Sequence, residues 1–369
     1  LDVEKNKLDV YYMRKALELA KKGYGKVSPN PVVGAVIVKG GKIIGQGYHK
    51  FYGGPHAEVY ALKEAGDNAK GAVIYVTLEP CSHYGKTPPC AEALLRAGIK
   101  KAVIAMSDPN PLVSGGGIEI LQNDGIEVEV GLLEDEARDM NKVFLKYITT
   151  KSPFVILKWA MTLDGKIATV KGESKWITST ETRYYVHQIR NKVMGIMVGI
   201  NTVKKDNPLL TTRLDKEGIS PKAIILDSKL KISLDSKILR TINEREVIIA
   251  CTQNIDYKKK LELEKMGVSL IIIPEDDFGR VDLSCLIKKL GDYGIDSILI
   301  EGGSEVSFSA INSGAVDEVI CFISPKIFGG DKAKTPVGGS GFSKIIESKK
   351  LKRLKIEKIS EDIMITGYL

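Results

Sequence analysis

Short β-branched runs alternate with stretches of helical spacing along almost the whole chain, and that alternation dictates α/β layers. Val10, Met13, Leu17 and Ala20 fall at helical spacing within residues 8–22. PVVGAVIV (31–38) reads as a strand, with Gly40-Gly41 as the hairpin turn into KIIGQGYH. A helix over 56–65, a buried strand over 71–80, a helix over 89–98 stopped by glycine and a strand over 101–106 follow. A helix near 117–124 and the strand IEVEVG complete this first pattern. Residues 134–152 are charged, then mixed, and end at Ser152-Pro153. Strands are then predicted over 154–161, 193–200, 223–227, 246–250, 269–273, 297–303 and 318–325. Helices intervene near 181–192, 258–266, 282–291 and 304–313. Two domains are expected, 1–147 and 148–369, and 369 residues accommodate two.

Composition narrows the classes of function. Apolar residues at 43% and charged residues at 27% exclude a mostly disordered chain. No apolar run approaches the ~18 residues of a membrane span. The mixed-charge start LDVEKNKLDV predicts no secretory signal. The net charge of +8 is spread among acids rather than gathered in a basic stripe with aromatics, so nucleic acid is not the expected partner. Five cysteines, an odd and low count, point to a reducing compartment and a cytoplasmic location.

Three of the residues best suited to bind metal fall into a spacing with chemical meaning. His56-Ala57-Glu58 opens a predicted helix, Pro80-Cys81 ends a predicted strand, and Cys90 begins the next helix. One His and two Cys make three zinc ligands and leave a fourth position for water, as catalytic sites do. Zinc brings that water to a pKa near 7, and Glu58 is placed to carry its proton to a leaving amine. H-x-E followed by P-C and a second Cys is the form used by zinc nucleobase deaminases. A purely structural zinc site needs a fourth protein ligand, for which His83 is the only other histidine in the loop.

The loop between the cysteines carries the argument further. Pro80-Cys81-Ser82-His83-Tyr84-Gly85-Lys86-Thr87-Pro88-Pro89-Cys90 has eight residues between its cysteines, where nucleoside and tRNA deaminases have two. With Ser28-Pro29-Asn30-Pro31-Val32-Val33-Gly34 and Ser107-Asp108-Pro109-Asn110-Pro111, it resembles the bifunctional riboflavin-biosynthesis deaminase–reductase family. The second half continues the resemblance in Thr162-Leu163-Asp164-Gly165-Lys166-Ile167-Ala168 and Ser174-Lys175-Trp176-Ile177-Thr178-Ser179. Asp206-Asn207-Pro208-Leu209-Leu210-Thr211, Glu301-Gly302-Gly303-Ser304 and Pro325-Lys326-Ile327-Phe328-Gly329-Gly330 extend it almost to the C-terminus.

The resemblance implies a cytidine-deaminase-like α/β/α domain followed by a dihydrofolate-reductase-like α/β domain. It implies deamination of 2,5-diamino-6-ribosylamino-4(3H)-pyrimidinone 5′-phosphate, then NADPH-dependent reduction to 5-amino-6-ribitylamino-uracil 5′-phosphate. By the same resemblance His56, Cys81 and Cys90 hold Zn2+, Glu58 shuttles protons, and Asn30, His49, His83 and Lys86 contact the first substrate. It assigns NADPH to Ala160, Trp176, Thr202, Asp206, Ser228 and the run Gly303, Ser304, Glu305, Val306, Ser307, Phe308 and Ser309. Ribose phosphate contacts fall to Ser174, Arg190, Leu210, Arg213 and Glu301, and guanidinium groups suit a phosphate. Lys158 and Glu301 are expected to hold the ribose C1′ for hydride attack. A homo-oligomer is implied as well. From the residues alone, the reductase half is far less marked: no G-x-G-x-x-G follows its first strand, and Gly302-Gly303 reads equally as a turn. The competing reading is a zinc deaminase for another nucleobase with a fused binding domain.

Overall fold

The alternation of strands and helices folds into two separate sheets. The computed structural model describes residues 2–83, 88–110, 115–215 and 218–369, with side chains from residue 7 onward. Two compact units are formed, Leu1–Lys151 and Ser152–Leu369.

The first unit runs α1 (Asp2–Ala20), β1 (Gly34–Lys39), β2 (Lys42–Tyr48), α2 (Ala57–Ala65), β3 (Val73–Val76) and α3 (Cys90–Arg96). It continues through β4 (Lys101–Ile104), α4 (Gly116–Asn123), β5 (Glu127–Val130), α5 (Glu134–Met140) and α6 (Lys142–Thr150). Its sheet has the order β2-β1-β3-β4-β5, with β1 antiparallel to both neighbours and β3, β4 and β5 parallel. The β1 sequence shows no polar alternation because both of its faces are covered. Ala35 and Ile37 join the core with Ala57, Ala61 and Leu94. Val36 and Val38 pack on the other face with Met13, Ala16 and Leu17. Gly47 of β2 allows the close seating of α2, since a Cβ there would lie 2.3 Å from the Ala57 carbonyl oxygen. The start of α2, where His56 and Glu58 lie, is thereby fixed against the sheet.

The second unit contains β6 (Phe154–Thr162), α7 (Thr180–Arg190), β7 (Gly195–Gly199), α8 (Ile200–Asp206), β8 (Lys222–Leu226), β9 (Val247–Cys251) and α9 (Tyr257–Lys265). After these come β10 (Ser269–Ile272), α10 (Leu283–Asp292), β11 (Ser297–Glu301), α11 (Ser304–Asn312), β12 (Glu318–Ser324), β13 (Lys352–Ile359) and β14 (Asp362–Tyr368). The sheet order is β10-β9-β8-β7-β11-β6-β12-β14-β13. The strands from β10 to β12 are parallel, and the β13–β14 hairpin closes the edge in antiparallel fashion. Parallel strands covered on both faces need continuous apolar runs, which explains Val247–Cys251 and Ile298–Ile300, all buried.

The expected α/β layers are therefore present in both halves, with three differences of detail. The predicted division at 148 falls inside α6, which runs on to Thr150, and the units part after Lys151. The acidic stretch EDEARDM, read as part of a charged connection, is helix α5, whose first-turn Glu134, Asp135 and Glu136 suit a helix N-terminus. The C-terminal hairpin was not anticipated, because β13 is exposed along nearly all its length and lacks the buried alternation that marks a strand.

Candidate active sites

In the first unit, α2 begins at Ala57 with His56 at its N-cap, and α3 begins at Cys90. The strand-to-loop junction after β3 delivers Cys81. These three elements bring one nitrogen and two sulfurs within 4.8 Å of one another. His56 Nδ1 lies 3.3 Å from Cys90 Sγ and 3.5 Å from Cys81 Sγ. Tetrahedral zinc with bonds of ~2.0–2.3 Å requires ligand separations of roughly 3.6 Å, so the set fits that ion. Hydrogen bonding from Cys90, then from His56, holds the Cys81 thiol well below its usual range and favours the thiolate a metal needs. His83 is exposed and stands outside this cluster, so the described residues supply three ligands and not four.

Glu58 sits in the first turn of α2 and is 3% exposed. Burial raises its pKa, which suits a group that must both accept and release a proton. His49 is also buried, and its Nδ1 donates to the Pro55 carbonyl at 3.0 Å. That bond leaves Nε2 as the acceptor for Asn30 Nδ2 at 3.3 Å, so the Asn30 carbonyl oxygen is not used by His49. The His49 and His56 rings meet edge to face at 5.6 Å. Asn30 and His49 thus join the cluster, while Lys86 lies outside the described residues.

A carboxylate that the sequence reading passed over holds this site in place. Glu79 immediately precedes Pro80-Cys81 and is 4% exposed. Its Oε2 accepts from the backbone N–H groups of Asp108 and Gly115, at 3.1 and 3.2 Å. Its Oε1 accepts from those of Gly117 and Ile118, at 3.0 and 3.3 Å. One carboxylate thereby ties the cysteine loop to the start of α4. Gly117 is required there, because a Cβ would fall 1.9 Å from the Pro80 carbonyl oxygen. Glu79→Gln is expected to lower the stability of this unit by roughly 2–4 kcal/mol, since an amide NH2 would face backbone donors. Ammonia release should fall with it while the second unit's activity persists. Thermal unfolding followed beside both activities checks this, and an unchanged midpoint would refute it.

In the second unit, a cavity of about 490 Å³ opens beside β6, β7 and β11. Ligands in parallel sheets bind at the carboxyl ends of strands where the chain order switches, and β11 lies between β7 and β6. Lys158 and Glu301 are register partners on adjacent strands. Lys158 Nζ stands 3.1 Å from Glu301 Oε2. Arg190, in the last turn of α7, forks onto the same carboxylate at 2.7 and 2.8 Å. Burial alone would raise the Glu301 pKa, but Arg190 and then Lys158 overcome it and hold the carboxyl far below its ordinary range. The α7 helix is itself anchored at its start, where Asp362 accepts from Ser179 N and Thr182 Oγ1.

Of the expected contacts, Ala160, Ser174, Trp176, Thr202, Asp206, Leu210 and Arg213 line the cavity, as do Gly303, Ser304 and Ser307. Ser228, Glu305, Val306, Phe308 and Ser309 are not among its lining residues. Ser228 Oγ instead accepts from Val281 N, and Phe308 packs against Phe342. The sequence reading missed Asn201, which adds an amide to the wall, and Lys205, Lys237 and Lys334, which add cations. It also assigned nothing to Lys326, whose ammonium donates to the Trp176 and Ile177 carbonyls at 2.8 Å. Asp164 accepts from Phe328 N and Gly329 N, tying the same two loops together. Those interactions are specified by contacts some 150 residues apart, and no local spacing signals them.

Comparison with known proteins agrees with this division. Residues 6–106 match the family model for the cytidine and deoxycytidylate deaminase zinc-binding region. Residues 153–365 match the model for the RibD C-terminal domain. The riboflavin biosynthesis protein RibD of Actinobacillus pleuropneumoniae is 47% identical, over 98% of this chain and 95% of its own. RibD of Aquifex aeolicus is 46% identical, over 97% and 98%. A solved Acinetobacter baumannii RibD superposes with a TM-score of 0.87 at 40% identity, covering 98% of this chain and 99% of that one. So does a Thermotoga maritima protein at 39% identity, with a TM-score of 0.87 and 99% of each chain covered. It is described as a diaminohydroxyphosphoribosylaminopyrimidine deaminase/5-amino-6-(5-phosphoribosylamino)uracil reductase.

Proposed function

The chain belongs to the RibD family, and from that membership we propose which residues perform each of its two reactions. It is a bifunctional deaminase–reductase of riboflavin biosynthesis, with a zinc-binding deaminase domain and a reductase domain. Its first substrate is 2,5-diamino-6-ribosylamino-4(3H)-pyrimidinone 5′-phosphate, as the description of the Thermotoga relative suggests. His56, Cys81 and Cys90 hold the zinc, which when bound acts as a Lewis acid and lowers the pKa of a ligated water. Glu58 is placed to take a proton from a water at this site and pass it to the amine that would leave the pyrimidine C2 as the water oxygen bonds there. Asn30, whose carbonyl oxygen has no partner among the described residues, and His49 orient the base, and His83 and Lys86 meet the phosphate end. The assignment is carried by the three-ligand cluster with a buried carboxylate two residues from its histidine.

The deaminated product is reduced in the second domain. The lysines of the cavity wall suit the phosphates of NADPH, which when bound would supply the hydride. Lys158 and Glu301 hold the ribose C1′ beside the cofactor, with Arg190 fixing Glu301. Ser174, Leu210 and Arg213 receive the ribose phosphate. The product is 5-amino-6-ribitylamino-uracil 5′-phosphate. No described helix is long and apolar enough to cross a membrane. We place the protein in the cytoplasm, in keeping with five cysteines of which none is in a disulfide. We also read it as a homo-oligomer, for which the open β13 edge with exposed Leu354 and Ile356 offers a surface.

Incubating the zinc-loaded protein with the diaminopyrimidinone ribosyl phosphate, with and without NADPH, tests both halves. Ammonia should appear without NADPH, and NADPH should be consumed only after deamination. Ammonia alone would remove the reductase assignment, and neither signal would favour a deaminase for another base.

A further inference from the structure

We propose that Arg245 is the positioning residue of the anion cradle in the reductase cavity. It acts by holding the Leu209 and Leu210 carbonyls inward and so turning the next two N–H groups toward the substrate phosphate. This rests on the reading that the cavity receives a ribosyl phosphate. Arg245 lies just before β9 and is 8% exposed. Its Nη1 donates to the Leu210 carbonyl at 2.8 Å and to the Pro221 carbonyl at 2.9 Å. Its Nη2 donates to the Leu209 carbonyl, and its Nε to Thr241 Oγ1 at 3.2 Å. Every described hydrogen bond of this guanidinium therefore goes to a neutral oxygen.

The consequence for the loop follows from peptide geometry. In a trans peptide the C=O and the next N–H point in opposite directions. The bonds on either side of Leu210 are trans. With the Leu209 and Leu210 carbonyls drawn to Arg245, the N–H groups of Leu210 and Thr211 must point away from it. Neither N–H has a hydrogen-bond partner among the described residues. Leu209 and Leu210 line the cavity, and Leu210 adopts a left-handed φ of 57°. Arg190 extends the arrangement by donating to the Thr211 carbonyl at 3.1 Å. Three successive carbonyls are thus held by two arginines, and consecutive free N–H groups in such a turn form an anion-binding nest. A buried cation with only neutral partners is electrostatically unfavourable. Burial, and then the neighbouring Arg190, push the Arg245 pKa down to about 10. Glu244 offsets this in part, and a phosphate across the loop adds a second negative charge.

The test compares the full-length protein with Arg245→Lys, which keeps the charge but lacks the planar fork needed to hold several carbonyls. Inorganic phosphate is the probe, titrated calorimetrically and as a competitor of the ribosyl substrate in NADPH oxidation. Phosphate affinity is expected to fall tenfold or more, and the substrate KM to rise by a similar factor with kcat within threefold. Thr241→Val, a smaller change that frees Nε, should weaken phosphate two- to fivefold. A purely structural Arg245 would lower the melting temperature while the folded variants bound phosphate like the parent, and that result would overturn the proposal alone. A parent protein in which phosphate does not compete would overturn the phosphate reading of the cavity together with it.

Discussion

Glu58→Gln should lower the rate of ammonia release by roughly 10²–10⁴-fold, the range that general acid–base catalysis commonly supplies. The substitution keeps the size and shape of the side chain, so the start of α2 and the adjacent His56 should stay in place. What it removes is the ability to carry a proton from water to the leaving amine. Glu58 is buried beside the ligand cluster, and no second acid among the described residues is grouped with those ligands. Zinc content should therefore match the parent, and NADPH oxidation on previously deaminated substrate should be unaffected. Metal analysis beside the two activity assays separates these outcomes. A loss smaller than tenfold would mean that another group moves the proton.

The second large effect belongs to Glu301. Replacing it by Gln leaves Lys158 and Arg190 buried together with no counter-charge, and breaking such a pair costs about 3–5 kcal/mol. Misplacing the groups around the ribose should also slow NADPH oxidation on the order of a hundredfold or more. The pH dependence has a definite sign. Because the folded carboxyl titrates well below its unfolded value, its contribution is fully present above pH ~4.3. It is lost as pH falls from there through the folded pKa. The parent's melting temperature should thus drop with acidification below about pH 4 more steeply than that of Glu301→Gln. Parallel pH slopes for the two proteins would remove Glu301 as a source of acid sensitivity.

The two sites differed in how far they could be read from the chain. The zinc ligands lie at element boundaries within 35 consecutive residues, so short spacings already carry their chemistry. The reductase trio is assembled otherwise. Arg190 and Glu301 are 111 residues apart and meet because β11 inserts beside β6 while α7 returns across them. Resemblance to a family pointed to them, supported only by a basic and an acidic group at predicted strand ends and by the fit of guanidinium to phosphate. Glu79 and Arg245 escaped notice for a related reason. Both act on backbone atoms of remote loops, and a backbone partner leaves no residue type to recognise. Helix α5 was hidden by its charge and β13 by its exposure, since neither contributes the apolar rhythm on which the reading of elements depends.

The pairing of Lys158 with Glu301 is set by strand register, and register has parity. Successive side chains of a strand alternate between faces, so a one-residue deletion in β6 ahead of Lys158 would turn its ammonium to the opposite layer. No substitution elsewhere could restore it. The loops that frame the cavity, 163–179 and 207–213, are set by hydrogen bonds from Lys326, Asp164, Arg190 and Arg245 rather than by parity. A change of length in the floor therefore inverts a side chain outright, whereas one in the rim shifts residues along a loop, and redesign toward other sugars is better begun in the rim segments that Arg190 and Arg245 do not hold.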